Sequence, residues 1–69
     1  MKSDIINLNQ AMILKRLGYQ NKVRFAYKIS EEEKKYTLLF GDKKNWNSLK
    51  EYYSAPTIQS AKRWINLNT

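Results

Sequence analysis

The chain of 69 residues has room for one domain, and a chain of this length buries only about 60% of the surface that its unfolded form exposes. It contains neither cysteine nor histidine, which excludes disulfide bonds, zinc sites with sulfur or nitrogen ligands, thiol nucleophiles and the usual near-neutral general base. Its 13 basic and 6 acidic residues give a net charge of +7, which favours polyanionic partners, including ribonucleoproteins.

The amino-terminal stretch MKSDIINLNQ has Asp4 and several polar residues where a secretory signal peptide needs an unbroken apolar core. No stretch approaches the roughly 20 apolar residues of a membrane-spanning helix. The lack of cysteine also favours a reducing compartment. We therefore expect a soluble cytoplasmic protein without a membrane partner.

Residues 7–18, NLNQAMILKRLG, predict the first helix. Asn7 suits the N-cap, and Gln10 follows it at the spacing of a capping box. Apolar residues recur at helical spacing: Ala11, Leu14 and Leu17. Gly18 is typical of the left-handed residue that ends a helix, and Tyr19 can then fold back onto the helix.

Two strands joined by a hairpin turn are predicted next. Residues 23–29, VRFAYKI, alternate between apolar and polar side chains, which indicates a half-buried strand. Its apolar face consists of Val23, Phe25, Tyr27 and Ile29. Residues 36–40, YTLLF, predict a second strand, with Tyr36, Leu38 and Phe40 on one face. The polar stretch SEEEKK between the strands is short enough to close a hairpin.

Residues 41–56, GDKKNWNSLKEYYSAP, show no sustained periodicity, so they predict a long connection with a helical turn around residues 47–53. Connections of this length without regular structure are uncommon in compact domains and are often functional. A second helix should start after Pro56, with Thr57 as its N-cap. Its apolar stripe consists of Ile58, Ala61, Trp64 and Ile65. We expect Trp64 to close the small core.

These elements predict a single α+β domain over residues 1–69, in the order α-β-β-α. An isolated hairpin is only marginally stable. Both helices should therefore pack on one face of the antiparallel hairpin, the face formed by Phe25, Tyr27, Leu38 and Phe40.

The opposite face of the hairpin is the first candidate binding surface. Its members are predicted from the alternation: Lys22, Arg24 and Lys28, joined by Lys35 and Thr37 from the second strand. A surface of this kind can follow phosphates. It carries no predicted aromatic residue, so stacking on bases is not indicated there. The alternative is an ordinary solvated sheet face.

The long connection is the second candidate. It interleaves cations with aromatic residues: Lys43, Lys44, Trp46, Lys50, Tyr52 and Tyr53. This composition is typical of a stacking site for nucleic acid and equally of an energetically dominant patch at a protein interface. The alternative is that Trp46 and one tyrosine cap an end of the core.

Catalytic and metal-binding patterns are weak in this sequence. The acidic run Glu31–Glu33 lacks the spaced ligands and the turn glycine of a calcium loop. Gly18 and Gly41 are the only glycines, so no glycine-rich phosphate loop is present. No histidine is available to activate a serine. We expect neither an enzyme nor a bound cofactor or metal.

Two motifs in the chain resemble those of a known group of proteins. The first is QAMILKRLG at residues 10–18, and the second is APTIQSAKRW at residues 55–64. Their order and separation are similar to those in small accessory proteins encoded by bacteriophage and prophage genomes, chiefly of Bacteroidetes. The resemblance implies a phage-borne accessory protein of the host bacterial cytoplasm, and it brings no catalytic residues with it.

The resemblance and the charge together lead to a functional hypothesis. We expect a non-enzymatic protein that binds a host macromolecule, either a protein or a ribonucleoprotein. In its sharpest form, this protein inhibits a nucleic-acid-based defence such as a CRISPR ribonucleoprotein. The alternative is a protein that binds RNA or DNA directly with low sequence specificity.

Overall fold

The structure, a computed structural model, describes residues 4–68. Within that range the elements are α1 (Leu8–Leu17), β1 (Val23–Ser30), β2 (Lys35–Lys44), a 3-10 turn (Trp46–Ser48), β3 (Tyr52–Ser54) and α2 (Ile58–Leu67). The three strands form one antiparallel sheet in the order β2-β1-β3. The predicted α+β class is confirmed, with one strand more than the sequence indicated.

The predicted signals at both ends of α1 are confirmed. The Asn7 side chain accepts a hydrogen bond from the Gln10 amide at 2.8 Å, and the Gln10 side chain accepts one from the Asn7 amide at 2.9 Å. Gly18 ends the helix with a φ of 98°. This conformation costs a glycine little and strains other residues. The amide of Tyr19 then donates to the carbonyl of Leu14 at 3.0 Å, which turns the Tyr19 ring into the core.

The hairpin of β1 and β2 is longer and less regular than predicted. Its pairing runs from Ser30 opposite Lys35 to Val23 opposite Lys44. Between Phe25, which faces Phe40, and Val23, the register shifts, so that residues 41–43 stand opposite the single residue Arg24. This bulge lets β2 continue to Lys44, past Phe40, where the sequence analysis had ended the strand.

The core lies on the inner face of the sheet, which carries Val23, Phe25 and Tyr27 of β1. It joins these residues to Ala11 and Leu14 of α1 and Ala61 of α2. The Tyr27 hydroxyl donates to the carbonyl of Ile6 at 2.8 Å, which ties the segment before α1 to the sheet. Both helices therefore pack on one face, as predicted. The predicted role of Trp64 also holds, because its half-buried ring packs against the core and meets the Tyr19 ring edge-on at 5.2 Å.

β2 is the part of the inner face that the helices cover least. Phe40 contacts Phe25 with ring centroids 4.9 Å apart, yet 66% of Phe40 is exposed. Tyr36 similarly meets Tyr27 and remains more than half exposed. Phe40 therefore lies on the predicted face but is not covered, because α1 packs against β3, at the opposite edge of the sheet from β2.

Alkaline pH should destabilise this fold. Burial raises the pKa of both Tyr19 and Tyr27 above that of an exposed tyrosine. Both phenols ionise near pH 10 in the unfolded chain but at higher pH in the fold. Their stabilising effect is therefore complete below about pH 10 and is lost as the pH rises through the raised values. Urea unfolding over an alkaline pH series, together with tyrosinate absorbance, measures this loss. A Tyr27→Phe variant should lose less stability with pH, and an unchanged slope would contradict the assignment to Tyr27.

Candidate functional site

Basic side chains from both strands of the hairpin meet at its open end, where β1 begins and β2 ends. Lys22 and Arg24 flank Val23, and Val23 is the partner of Lys44, which Lys43 precedes. All four basic residues are exposed, and none forms a salt bridge within residues 4–68. We call Lys22, Arg24, Lys43 and Lys44 the basic end of the sheet. Residues 22–24 and 41–44 contain one carboxylate, that of Asp42, so the basic end keeps a net positive charge.

A cleft adjoins the basic end. It lies where β3 has stopped and the chain turns through Ala55 and Pro56 toward α2, and its volume is about 390 Å³. Lys22, Arg24 and Lys43 line it, together with Thr57 and Ser60. A phosphate seated in this cleft would meet three cationic side chains.

The opposite end of the sheet is acidic. Glu31, Glu32 and Glu33 in the hairpin turn share a surface depression with Glu51 and Lys28. Lys35 forms a salt bridge with Glu33 at 3.1 Å. Lys28 and Lys35 belong to the predicted phosphate-binding set, but here they lie among carboxylates that repel phosphates. The predicted phosphate-binding residues therefore lie at two ends of the sheet. Lys22 and Arg24 are part of the basic end, and Lys28 and Lys35 are not.

Trp46 packs on the outer face of the sheet, the face of Arg24, Ala26 and Lys28. Its indole N–H donates to the carbonyl of Val23 at 2.8 Å, and its ring is 6% exposed. The Lys44 ammonium lies 4.2 Å from the centre of the ring. Trp46 was predicted as a partner-binding residue or, alternatively, as a cap of the core. Its burial favours a structural role, although it covers the outer face and not an end of the core.

The two tyrosines of β3 point to opposite faces of the sheet. Tyr53 faces inward, where it packs against the core and lies 4.5 Å below the Lys15 ammonium. Tyr52 faces outward, with its ring centre 5.5 Å from that of Trp46 and 5.7 Å from the Lys28 ammonium. The expectation that the outer face carries no aromatic residue is therefore wrong, because β3 was not predicted.

Residues 49–51 hold the last lysine of the predicted set, Lys50, in an exposed turn. This turn is fixed by Lys15 of α1, whose ammonium donates to the carbonyls of Leu49, Lys50 and Tyr52 at 2.9, 3.2 and 2.7 Å. Burial lowers the pKa of Lys15. The prediction of an irregular connection over residues 41–56 is therefore wrong, because the end of β2, the 3-10 turn and β3 lie within it. Lys50 lies in the turn before β3, away from the basic end.

Asn47 is a second organising residue that the sequence analysis did not single out. Its side chain donates to the carbonyl of Tyr19 at 2.8 Å and accepts from the amide of Ser54 at 2.7 Å. Its own amide donates to the Ser54 hydroxyl at 3.1 Å. The segment NWNS, residues 45–48, carries the asparagines and serine typical of a tight, hydrogen-bonded turn, and this was the signal available in the sequence.

The basic end presents exposed cations beside an open cleft. Within residues 4–68, no group of three or more acidic side chains is placed to hold a metal ion. No helix in the same range has the length and apolar character needed to cross a bilayer. Exposed ammonium and guanidinium groups around an open cleft can bind anions, and phosphate oxygens are their commonest partners in nucleic-acid complexes.

Comparison with known proteins leaves the family open. No family model matches this chain, and no curated protein or solved structure is significantly similar to it.

Proposed function

We propose that this chain is a non-enzymatic binding protein whose basic end contacts the phosphates of RNA carried by a host ribonucleoprotein. The motifs at Gln10–Gly18 and Ala55–Trp64 resemble those of phage accessory proteins, so the proposal includes a phage origin. For a phage protein, the proposed partner is a nucleic-acid-based defence complex such as a CRISPR ribonucleoprotein. Binding of this chain to that complex would inhibit the defence.

The observation that carries the proposal is the meeting of Lys22, Arg24, Lys43 and Lys44 around one pair of strand ends. These four cations form no salt bridge within residues 4–68, whereas Lys35 at the other end of the sheet forms one with Glu33. Unpaired cations grouped on one surface create a positive potential that attracts polyanions and raises their rate of association.

A second candidate is direct binding of free single-stranded RNA or DNA. It is favoured by Tyr52, which is half-buried on the outer face and so keeps part of its ring open beside Lys28. An aromatic ring next to a cation is the usual platform for an unpaired base. The acidic residues around Lys28 weigh against it, because they repel the phosphates that accompany the base.

Charge reversal at the basic end should weaken binding to RNA. In the variant Arg24→Glu/Lys43→Glu, two phosphate contacts are lost, so the slope of log affinity against log salt should fall by about 1.4 for single-stranded RNA. Anisotropy of a fluorescent RNA at several salt concentrations measures both quantities. Lys34→Glu/Arg63→Glu is the matched control, because it changes the net charge equally at exposed positions away from the basic end.

Affinity purification from bacterial cells, with and without nuclease, then separates the two candidates. The proposal expects the tagged protein to capture a ribonucleoprotein, and expects the basic-end variant to lose it while the control variant keeps it. Capture that survives both nuclease and charge reversal would contradict the proposal. Binding to free RNA as strong as binding to the captured complex would favour the second candidate.

A further inference from the structure

Helices α1 and α2 leave an apolar groove between them. Its volume is about 210 Å³. The lining is almost entirely apolar: Ile6, Ile13, Leu14, Ile58, Ala61 and Ile65, with Gln10 and Lys62 at the margins. The groove lies on the helical side of the molecule, away from the outer face of the sheet and the basic end.

The groove exposes more apolar surface than the fold requires. Ile13 is 54% exposed and Ile65 is 38% exposed, although both stand beside the buried residues Leu14 and Ala61. A second depression, lined by Leu17, Trp64, Ile65 and Asn68, continues the groove toward the carboxyl ends of the helices. Leu17 is 58% exposed there. A continuous apolar strip of this kind on a small protein marks an interaction surface.

The charged residues of the two groove helices are all basic. Neither helix contains an acidic residue, and together they carry Lys15, Arg16, Lys62 and Arg63. At helical spacing, Arg16 stands on the outer side of Ile13, and Lys62 lines the groove from α2. A cation therefore borders each side of the apolar strip. Asp4 lies near Lys62, at the end of the groove where α2 begins.

We propose that this groove binds an acidic amphipathic helix of a partner protein. A helix laid along it would bury an apolar stripe against Ile13, Leu17 and Ile65. Acidic residues beside that stripe would face Arg16 and Lys62. Each groove helix has 10 residues and is about 15 Å long, which matches roughly three turns of a bound helix.

A second copy of this chain fits the groove less well. Two copies meeting groove to groove would bring Arg16 and Lys62 against the same cations of the other copy, and like charges across an interface oppose association. The proposed partner segment is a protein helix, so this site is separate from the RNA-binding proposal and does not rest on it.

The test uses designed helical peptides of about four turns as probes. The first peptide has leucines along one face and glutamates beside them. The second replaces the glutamates with lysines, and the third replaces the leucines with serines. Anisotropy of labelled peptides and shifts of the Ile13, Lys62 and Ile65 amides in NMR spectra report binding at the groove. The proposal expects the first peptide to bind about tenfold or more tightly than either of the others.

Two variants of the protein sharpen the test. Arg16→Glu/Lys62→Glu should reverse the preference, so that the lysine peptide binds better than the glutamate peptide. Lys34→Glu/Arg63→Glu, with the same change in charge away from the groove, should keep the original order, and far-ultraviolet circular dichroism should show both variants folded. Equal binding of all three peptides, or of none, would overturn the proposal. So would a dimer in sedimentation analysis that Ile13→Glu dissociates, because the groove would then bind a second copy.

Discussion

Replacing Trp46 with alanine should lower the free energy of unfolding by about 3–5 kcal/mol, which is the usual cost of removing a buried tryptophan. The ring is 6% exposed and covers the outer face of the sheet beside Gly41, with atoms of the indole 3.5 Å from the position that a Cβ on Gly41 would occupy. The variant also leaves the carbonyl of Val23 without the indole N–H. Because a domain of this size is stabilised by only about 3–5 kcal/mol, most of the variant should be unfolded.

A graded series keeps this expectation measurable by urea unfolding. Trp46→Phe retains most of the buried ring and loses the hydrogen bond to Val23, so it should cost about 1–2 kcal/mol less than the alanine variant. Tyr52→Ala removes a half-buried ring from the same face and should cost less than Trp46→Ala. If Trp46→Ala unfolds at the same urea concentration as the parent but no longer captures a partner, then Trp46 is a contact residue and its structural assignment is wrong.

Asn47→Ala should cost about 2–4 kcal/mol, because each buried group left without a hydrogen bond costs about 1–3 kcal/mol. The side chain of Asn47 satisfies the carbonyl of Tyr19 and the amide of Ser54, and both residues are buried. Without it, the 3-10 turn would lose its side-chain bonds to β3 and to the chain after α1. Urea unfolding gives the free energy, and amide exchange at Ser54 should speed up.

Asn45→Ala provides the matched control two residues away. The Oδ1 atom of Asn45 is buried and has no hydrogen-bond partner within residues 4–68. Removing an unsatisfied polar atom is close to neutral or stabilising. Equal losses in the two alanine variants would show that the turn depends on its asparagines for backbone conformation and not for the bonds made by Asn47.

The ends of the helices could be predicted because their signals are local. Asn7 and Gln10 are three residues apart and form hydrogen bonds with each other. Gly18 ends α1 because its own backbone adopts a positive φ, which depends on no distant residue. β3 could not be predicted in the same way. Its three residues are too few to show an alternating pattern, and they are held by distant groups: the amide of Ser54 by Asn47, and the strand as a whole by β1.

The basic end was only partly visible in the sequence. Lys22 and Arg24 were assigned to one surface, and Lys43 and Lys44 were assigned to another, because β2 was expected to stop at Phe40. Their union depends on the pairing of Val23 with Lys44, which the bulge opposite Arg24 sets. No short-range pattern encodes that register. The split of Lys28 and Lys35 from the basic end also depends on where the hairpin turn places Glu33.

The acidic hairpin turn and the basic end lie at opposite ends of the sheet, so the protein behaves as an electric dipole. Under the proposed function, an RNA backbone would repel the turn of Glu31–Glu33 and attract Lys22 and Arg24, so the molecule would rotate before it makes contact. The protein would then reach the RNA in one orientation, with the basic end toward the RNA and the hairpin turn pointing away from it. A fluorophore or an affinity tag attached at Glu32 would therefore face away from the bound RNA and report on the complex without obstructing it.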